Sequence, residues 1–245
     1  MGRRYAVSDL HGRYDLWQGI LEFIKPDDTI YFLGDANDRN SAGWKMIKEI
    51  YNHPQFVYLK GNHEDILVHA LVEYLDQGIL SDGYWYRMCM NNGGYQTFYD
   101  AIDDPHVWDW IKKIQTLPLE AEIETVEGKV YMCHSGNKYG NRKAKLWDRE
   151  HFNWPVALDD SYIVHGHTPT KFLTEEYLYG SDFYDVSTYK KCKVCFYSPD
   201  ERGGYSKVDI DVGAAWNDYI VLLDLDTFEV IKIYPPIVPE LELEM

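Results

Sequence analysis

Cysteine, basic residues and long apolar runs are scarce in this sequence, and each shortage excludes a class of protein. Four cysteines in 245 residues do not outline a disulfide framework, so we expect reduced thiols and a cytoplasmic location. The 24 Lys and Arg residues against 40 Asp and Glu residues give a net charge of -16 at pH 7. This charge argues against nucleic acid or an anionic membrane as the main partner. The sequence shows neither a signal peptide nor a run long enough to span a membrane.

The length and the apolar pattern predict one α/β domain over residues 1–245. Short apolar, β-branched or aromatic runs each end at a polar block: Tyr5–Ser8, Thr29–Leu33, Phe56–Leu59, Lys129–Cys133 and Ser161–Val164. Between the first three runs, apolar residues recur at the spacing of an amphipathic helix. This strand, helix, strand order predicts parallel pairing, with ligands gathered at the carboxyl ends of the strands.

Two further regions have their own patterns. Residues 77–118 are rich in aromatic side chains at mixed helical spacing, which predicts a cap beside the cleft. Residues 206–234 contain three consecutive strand-like runs, which predict a second sheet packed against the first. Cys192 and Cys195 form half of a zinc-ribbon pattern, but no second C-x-x-C exists, so a reduced surface hairpin is expected.

Polar blocks follow four of the predicted strands, and their side chains are those that hard divalent cations bind. The blocks are Asp9–Gly12, Gly34–Arg39, Gly61–Glu64 and His165–Pro169. Two such cations can activate a water molecule for phosphoester hydrolysis. In the first block Asp9 and His11 stand two residues apart, so both point the same way from an extended strand end. Alone, this pair is also compatible with a solvated turn.

The next two blocks offer a carboxylate, an amide and an imidazole. Asp35 can bridge two cations, although a simple turn in which Asp38 caps the following helix would also explain its block. Asn62 can offer a neutral oxygen to a metal, or it can cap the helix that begins near Glu64. His63 beside it can carry a proton to a leaving group.

Histidines end two later strands. His134 precedes Ser135-Gly136, and His165 and His167 flank Gly166. A lone histidine is more often structural than a ligand, but histidines that follow several carboxylate and amide blocks favour a metal site. Proximity alone leaves either His165 or His167 as the ligand.

Taken together, these blocks resemble the calcineurin-like metallophosphoesterase superfamily, and within it the bacterial and phage serine/threonine phosphoprotein phosphatases. The signature of that family is GDxHG, GDxxDRG, GNHE, H-[AS]-G and GHTP, and this sequence has SDLHG, GDANDRN, GNHED, HSG and GHTP in that order. Residues 92–97, 146–150 and 210–214 resemble its weaker N-G-G-x-x-T, L-W-x-R-E and I-D-T-G-A/C elements. The resemblance implies a four-layer α/β/β/α sandwich of two mixed sheets flanked by helices.

The resemblance also implies a dinuclear metal centre. Its ligands are Asp9 and His11 on one ion, Asn62, His134 and His167 on the other, and Asp35 bridging both. His167 is preferred to His165 because the metal histidine of the family directly precedes Thr-Pro. Manganese is the expected metal, although iron, Zn²⁺ and Mg²⁺ also accept oxygen and nitrogen ligands.

Catalytic roles follow from the same resemblance. Asp38 holds His63 protonated and oriented, so that His63 can donate a proton to the departing oxygen. Arg39 and Arg149 clamp the phosphoryl oxygens, together with Asn62 and His63. A hydroxide that bridges the two metals attacks the phosphorus in line, and no phosphoenzyme forms.

Three departures from the family pattern stand out. Asn40 replaces the glycine that usually follows Asp-Arg, and asparagine tolerates a left-handed backbone better than most residues. Ser8 replaces the first glycine of the signature, which we expect to be harmless. Residues 171–207 form a longer stretch than in compact members and could overhang the cleft.

The leading functional prediction is a serine/threonine protein phosphatase acting on phosphorylated proteins or small phosphoesters. A dinucleoside-tetraphosphate hydrolase is the alternative, since Tyr84, Trp85 or Tyr95 could stack on a base. The scarcity of basic residues beyond Arg39 and Arg149 weighs against a long polyphosphate. A phosphoprotein-binding module without turnover is the third hypothesis, and the intact acid pair weighs against it. The sequence does not set the oligomeric state.

Overall fold

The computed structural model describes residues 2–78, 83–150, 161–172, 194–199 and 205–237. The strands are β1 (Arg4–Val7), β2 (Thr29–Phe32), β3 (Phe56–Tyr58), β4 (Glu120–Thr125), β5 (Gly128–Cys133), β6 (Tyr162–His165), β7 (Cys195–Pro199), β8 (Tyr205–Asp209), β9 (Ile220–Asp224) and β10 (Val230–Ile233). The helices are α1 (Tyr14–Phe23), α2 (Gly43–Asn52), α3 (Asn62–Gln77), α4 (Tyr84–Asn91), α5 (Tyr95–Ile102), α6 (Val107–Gln115) and α7 (Arg142–Trp147).

The first sheet has the strand order β10-β9-β1-β2-β3. β1, β2 and β3 run parallel, with Arg4 opposite Thr29 and Ile30 opposite Phe56. The helices α1 and α2 connect them, as the alternation of strand and helix patterns predicts. The parallel pairing places the residues after β1, β2 and β3 at one edge of this sheet.

The second sheet has the order β4-β5-β6-β8-β7, in which β5, β6 and β8 are parallel. The prediction that the last three strand-like runs belong together in this sheet is wrong in part. β8 does join the second sheet, but β9 and β10 form a hairpin that pairs with β1 in the first. The reason is that β9 is buried on both faces and therefore fits a central position in a sheet.

Two apolar cores explain the layering of the fold. Along β9, Ile220 and Leu222 pack into the core between the first sheet and its helices, while Val221 and Leu223 pack into the core between the sheets. Alternate residues of a strand point to opposite faces, so one strand serves both cores. The two mixed sheets are flanked by helices, which confirms the predicted sandwich.

The region predicted as an aromatic cap forms α4, α5 and α6, which pack against α2 and α3. Phe98 and Trp110 lie in the main core, whereas Tyr84 and Tyr95 are exposed. Residues 79–82 of this region lie outside the described part of the chain. The same holds for most of the predicted 171–207 insertion, including Cys192.

Two further observations concern the cysteines and the apolar content of the helices. Cys89 and Cys133 are buried free thiols. Among the described residues, no helix combines the length and the apolarity needed to cross a membrane.

Replacing Phe98 should destabilise the fold, because its fully buried ring lies against Tyr74, Tyr86 and Tyr99. We expect Phe98→Ala to lower the free energy of unfolding by about 3–5 kcal/mol, measured by urea denaturation. Val126→Ala, at an exposed position, should change it by less than about 0.5 kcal/mol. Equal effects of the two substitutions would contradict the described core.

Candidate metal centre and active site

The polar blocks predicted from the sequence meet where the carboxyl ends of strands from both sheets come together. Asp9, Asp35 and Asn62 follow β1, β2 and β3, while His134 and His167 follow β5 and β6. All five side chains are buried. The fold therefore brings together residues that are far apart in the sequence.

One half of the cluster contains Asp9, His11 and Asp35. The His11 Nε2 atom lies 3.9 Å from Asp9 Oδ1 and 3.7 Å from Asp35 Oδ2. The other ring nitrogen, Nδ1, lies 2.9 Å from the carbonyl oxygen of Asn37. Donation to this carbonyl fixes the tautomer and leaves the Nε2 lone pair directed at the two carboxylates.

The other half of the cluster contains Asn62, His134 and His167. The Asn62 Oδ1 atom lies 2.8 Å from His134 Nε2 and 2.9 Å from His167 Nδ1. His134 Nε2 is also 3.3 Å from Asp35 Oδ1, and its Nδ1 faces the Leu33 carbonyl at 2.8 Å. The two carboxylate oxygens of Asp35 thus face different halves of the cluster.

Ligand atoms within 4.8 Å of one another define two candidate metal groups, one of His11, Asp35 and His63 and the other of Asp35, His134 and His167. Asp35 belongs to both, as expected of a bridging ligand. His63 appears in the first group because its Nε2 is 3.7 Å from Asp35 Oδ2. Its Nδ1, however, makes a closer contact with Asp38, which favours a separate role.

The charges of this cluster fit bound cations. Burial raises the pKa of Asp9, and its Oδ1 atom has no hydrogen-bond partner among the described residues. Burial would lower the pKa of His134, but the charge of Asp35 outweighs it and raises that pKa to about 10. The buried carboxylates around His134 thus favour a positive charge at this position. A divalent ion supplies the same positive charge and keeps the imidazole neutral, as a ligand must be.

The structure also separates the two histidines around Gly166. His165 Nδ1 lies 3.0 Å from the Gly166 carbonyl and 4.0 Å from Asp209 Oδ1, outside both candidate groups. Burial lowers the pKa of His165 to about 3. His167 has a buried Nε2 without a hydrogen-bond partner in the described structure. This geometry favours His167 as the ligand.

His63 and Asp38 form a buried pair beside the cluster. The His63 Nδ1 and Asp38 Oδ2 atoms are 2.7 Å apart. Burial of the ring lowers the His63 pKa, but the charges of Asp35 and Asp38 outweigh it and raise the pKa above its ordinary value. A protonated His63 can act as a general acid.

One arginine, Arg39, lies near this pair. Another, Arg149, lies near the polar block that contains His167. Arg39 Nη2 is 3.5 Å from His63 Nε2, and its guanidinium carbon lies 4.8 Å from the centre of the Trp216 ring. Arg149 Nε donates to the Thr168 hydroxyl at 3.3 Å. The guanidinium groups thus stand beside the proton-bearing histidine and beside the final polar block, where an anion would be attracted.

Glu64 is a positioning residue to which the sequence analysis gave no role. Its buried carboxylate accepts hydrogen bonds from the backbone N–H groups of Asp35, Ala36 and Gly61, at 2.7–2.9 Å, and from the Tyr58 hydroxyl at 2.7 Å. It therefore ties the loop after β2 to the loop after β3. Glu64 stands three residues after Gly61, where the acidic residue of a capping box accepts the backbone N–H at the start of a helix, and this spacing could have indicated the role.

Residues 92–97, which resemble the N-G-G-x-x-T element of the family, support the loop that carries Asp38 and Arg39. The backbone N–H of Arg39 donates to the Gly93 carbonyl at 2.9 Å. The Thr97 hydroxyl accepts from the Asp38 N–H at 3.2 Å. A side chain at Gly94 would collide with Cys89, because a Cβ there would lie 2.4 Å from its sulfur. This element thus sets the backbone position of Asp38 and Arg39.

Left-handed backbone conformations concentrate at the site. Seven non-glycine residues in the described ranges have positive φ, and six of them are Asp9, His11, Asp35, Asp38, Arg39 and His167. Such conformations are strained for residues with a Cβ and cluster at functional sites. Asn40, where the sequence suggested a left-handed backbone, is not among them. Its side chain instead donates to the His11 carbonyl at 2.9 Å.

A family model for calcineurin-like phosphoesterases matches residues 2–200. This chain belongs to that family. The two ligand groups that share Asp35 suit the dinuclear metal centre typical of calcineurin-like phosphoesterases. The family predicted from the sequence is therefore confirmed.

Two curated relatives differ in what they hydrolyse. The chain is 28% identical over 148 residues to a symmetrical bis(5'-nucleosyl)-tetraphosphatase of Legionella pneumophila (strain Lens), covering 59% of this chain and 46% of that protein. It is 29% identical over 143 residues to serine/threonine-protein phosphatase 2 of Escherichia coli (strain K12), covering 55% and 60%. The chain thus matches less than two thirds of the length of either relative.

A solved structure supports the fold. The metallophosphoesterase from Sphaerobacter thermophilus has a TM-score of 0.54 and 15% identity, with 96% of this chain and 88% of that chain covered.

Removing the charge of Glu64 should loosen both strand-end loops, because an amide cannot accept from all four donors. We expect Glu64→Gln to lower the free energy of unfolding by at least about 2 kcal/mol in urea denaturation. Glu127→Gln, in the exposed turn between β4 and β5, is the matched control and should have little effect. A stability of Glu64→Gln equal to that of the control would contradict the positioning role.

Proposed function

We propose that this calcineurin-like phosphoesterase is a serine/threonine protein phosphatase that also hydrolyses small phosphomonoesters. The observation that carries the proposal is the contact of Asp38, His63 and Arg39 beside two ligand groups that share Asp35. Similarity to the E. coli protein phosphatase supports the substrate class.

The proposed metal ligands are those the sequence suggested. Asp9 and His11 hold one ion, Asn62, His134 and His167 hold the second, and Asp35 contacts both. Bound metals supply Lewis acidity and an activated water. We further propose manganese as the metal, on the family resemblance, and the cytoplasm as the compartment, on the scarcity of cysteine.

The chain's own residues supply charge and a proton. Arg39 and Arg149 orient the phosphoryl oxygens, which a planar and permanently charged guanidinium can bind at two points. Asn62 also faces the phosphate in this proposal. His63 donates its Nε2 proton to the departing oxygen, while Asp38 accepts the Nδ1–H and keeps the ring oriented.

A dinucleoside-tetraphosphate hydrolase is the second candidate, and the Legionella relative supports it. Of the aromatic residues considered for base stacking, Trp85 already stacks on His69 with ring centres 4.4 Å apart. Tyr84 and Tyr95 are exposed and remain candidates.

A phosphoprotein-binding module without turnover is the non-enzymatic alternative. The acid pair and Arg39 are held by the loops that Glu64 and Gly93 support. Side chains held in place in this way stabilise a transition state, and binding of a phosphoprotein without hydrolysis does not need them.

Metal binding should stabilise the protein by relieving repulsion between the buried carboxylates. When the concentration of free Mn²⁺ is about 100 times its dissociation constant, binding should add about 2.7 kcal/mol to the free energy of unfolding. This gain is measured as a higher melting temperature. Asp35→Asn should abolish most of this gain, whereas Asp109→Asn on the exposed face of α6 should retain it. A gain that survives Asp35→Asn would argue against a bridging role.

Catalysis should depend on His63. Metal-free protein reloaded with Mn²⁺ is assayed on p-nitrophenyl phosphate, a phosphothreonine peptide and diadenosine tetraphosphate. Because His63 supplies the proton to the leaving group, His63→Asn should lower kcat about 100- to 10,000-fold on the phosphothreonine peptide. His106→Asn, at an exposed histidine before α6, serves as the control.

The pattern of activities separates the hypotheses. Preferential hydrolysis of the peptide supports the protein phosphatase, and preferential hydrolysis of the dinucleotide supports the alternative. Absence of metal-stimulated hydrolysis of all three compounds would refute the enzyme. Undiminished activity of His63→Asn would refute only the proton-donor role.

A further inference from the structure

Asn37 is fully buried in the loop after β2, directly before Asp38. Its backbone carbonyl faces Nδ1 of the proposed metal ligand His11 at 2.9 Å. Its side chain makes different contacts, because the Nδ2 atom donates to Asp38 Oδ1 at 2.8 Å and to the His63 carbonyl at 3.3 Å. One residue thus contacts the metal cluster through its main chain and the acid pair through its side chain.

The orientation of the Asn37 amide follows from the charge of its neighbour. A carboxylate accepts hydrogen bonds and donates none, so the nitrogen of the amide, and not its oxygen, faces Asp38. The amide oxygen is then buried without a hydrogen-bond partner among the described residues. A buried acceptor without a partner lowers the stability of a protein. This arrangement favours a role at the acid pair over a role in packing.

The contact with Asn37 restrains the carboxylate of Asp38. The Thr97 hydroxyl accepts the Asp38 N–H, but this contact fixes the backbone and leaves the side chain free to turn. One carboxylate oxygen, Oδ2, lies 2.7 Å from His63 Nδ1, and Asn37 holds the other. A carboxylate held at both oxygens cannot turn without breaking a hydrogen bond. The His63 ring therefore keeps its Nε2 atom beside Arg39.

We propose that Asn37 is a positioning residue for the general acid, since its amide holds the Asp38 carboxylate in the orientation that His63 needs for proton donation. The proton passes from His63 Nε2 to the departing oxygen, and the neutral ring keeps its Nδ1–H on Asp38. The inference rests on the proposed hydrolysis and adds a residue that acts through Asp38. The family signature GDxxDRG specifies no residue at position 37, so the sequence analysis assigned it no role.

Three substrates whose leaving oxygens rise in basicity test this role: p-nitrophenyl phosphate, phenyl phosphate and the phosphothreonine peptide. A weakly basic oxygen departs as an anion, whereas a strongly basic one needs a proton. Asn37→Leu keeps the shape of the side chain but removes both N–H donors. We expect it to lower kcat about tenfold on the peptide and less than about twofold on p-nitrophenyl phosphate, with phenyl phosphate between them.

Two further variants separate positioning from general damage. Because Asn37 acts through His63, adding Asn37→Leu to His63→Asn should lower kcat on the peptide by less than about twofold more. Asn37→Ala should show the same dependence on the leaving group as Asn37→Leu, and it provides the test if the leucine variant does not fold. Asn52→Leu is the matched control and should retain activity on all three substrates, because its amide donates to a backbone carbonyl at the exposed end of α2.

The proton on His63 Nδ1 provides a readout that does not depend on turnover. It is observed by NMR in protein loaded with Zn²⁺, which is diamagnetic, and is identified by its loss in His63→Asn. In Asn37→Leu this proton should exchange with solvent about tenfold faster, because one hydrogen bond that restrains its acceptor is lost. The affinity for Mn²⁺, measured by calorimetry, should be unchanged, since the carbonyl that faces His11 remains.

The outcomes distinguish this inference from the proposed function. If Asn37→Leu changed kcat by the same factor on all three substrates, or left the exchange rate of the His63 proton unchanged, the positioning role would be overturned while hydrolysis stood. Weaker Mn²⁺ binding by the variant would also overturn it, because Asn37 would then support the metal ligands. If no phosphoester is hydrolysed, the proposed function fails, and the exchange rate alone decides the inference.

Discussion

The buried carboxylate of Glu64 fixes the geometry from which the rest of the site follows. Its hydrogen bonds to the N–H groups of Asp35 and Gly61 join the ends of β2 and β3. With its backbone held, Asp35 accepts the N–H of His63 on one carboxylate oxygen at 3.0 Å, at the first turn of α3. The carboxylate of Asp35 and the first turn of α3, which carries Asn62 and His63, are thereby set by one buried charge. The geometry of both candidate metal groups thus depends on Glu64, which belongs to neither of them.

This arrangement costs free energy that the two apolar cores must offset. Buried carboxylates lose hydration, and left-handed backbone at six site residues adds strain of about 1–3 kcal/mol for each residue. The strands that carry the site bury apolar side chains on both faces, as Tyr5 and Ala6 of β1 do in different cores. Packing on two sides restrains the strand ends, so the strained loops remain in place.

The sequence predicted the parts of this structure that depend on local patterns. The parallel β1-β2-β3 unit follows from alternating strand and helix periodicity, and the ligand residues follow from polar blocks at strand ends. Pairing of β9 with β1 could not be predicted, because it joins residues more than 200 positions apart and no local signal sets that register. The contact of Arg39 with the ring of Trp216 was hidden for the same reason. These two residues are 177 positions apart in the chain, and only tertiary packing brings their side chains together.

The contact of His134 with Leu33 has a consequence for folding. It joins residues 101 positions apart and links β5 in one sheet to β2 in the other. Contacts of such high sequence separation form late, after much of the chain entropy has been lost. The ligand set is therefore complete only once both sheets have docked. A cation that contacts both halves of the cluster would therefore bind only to the finished fold, and not to either sheet alone.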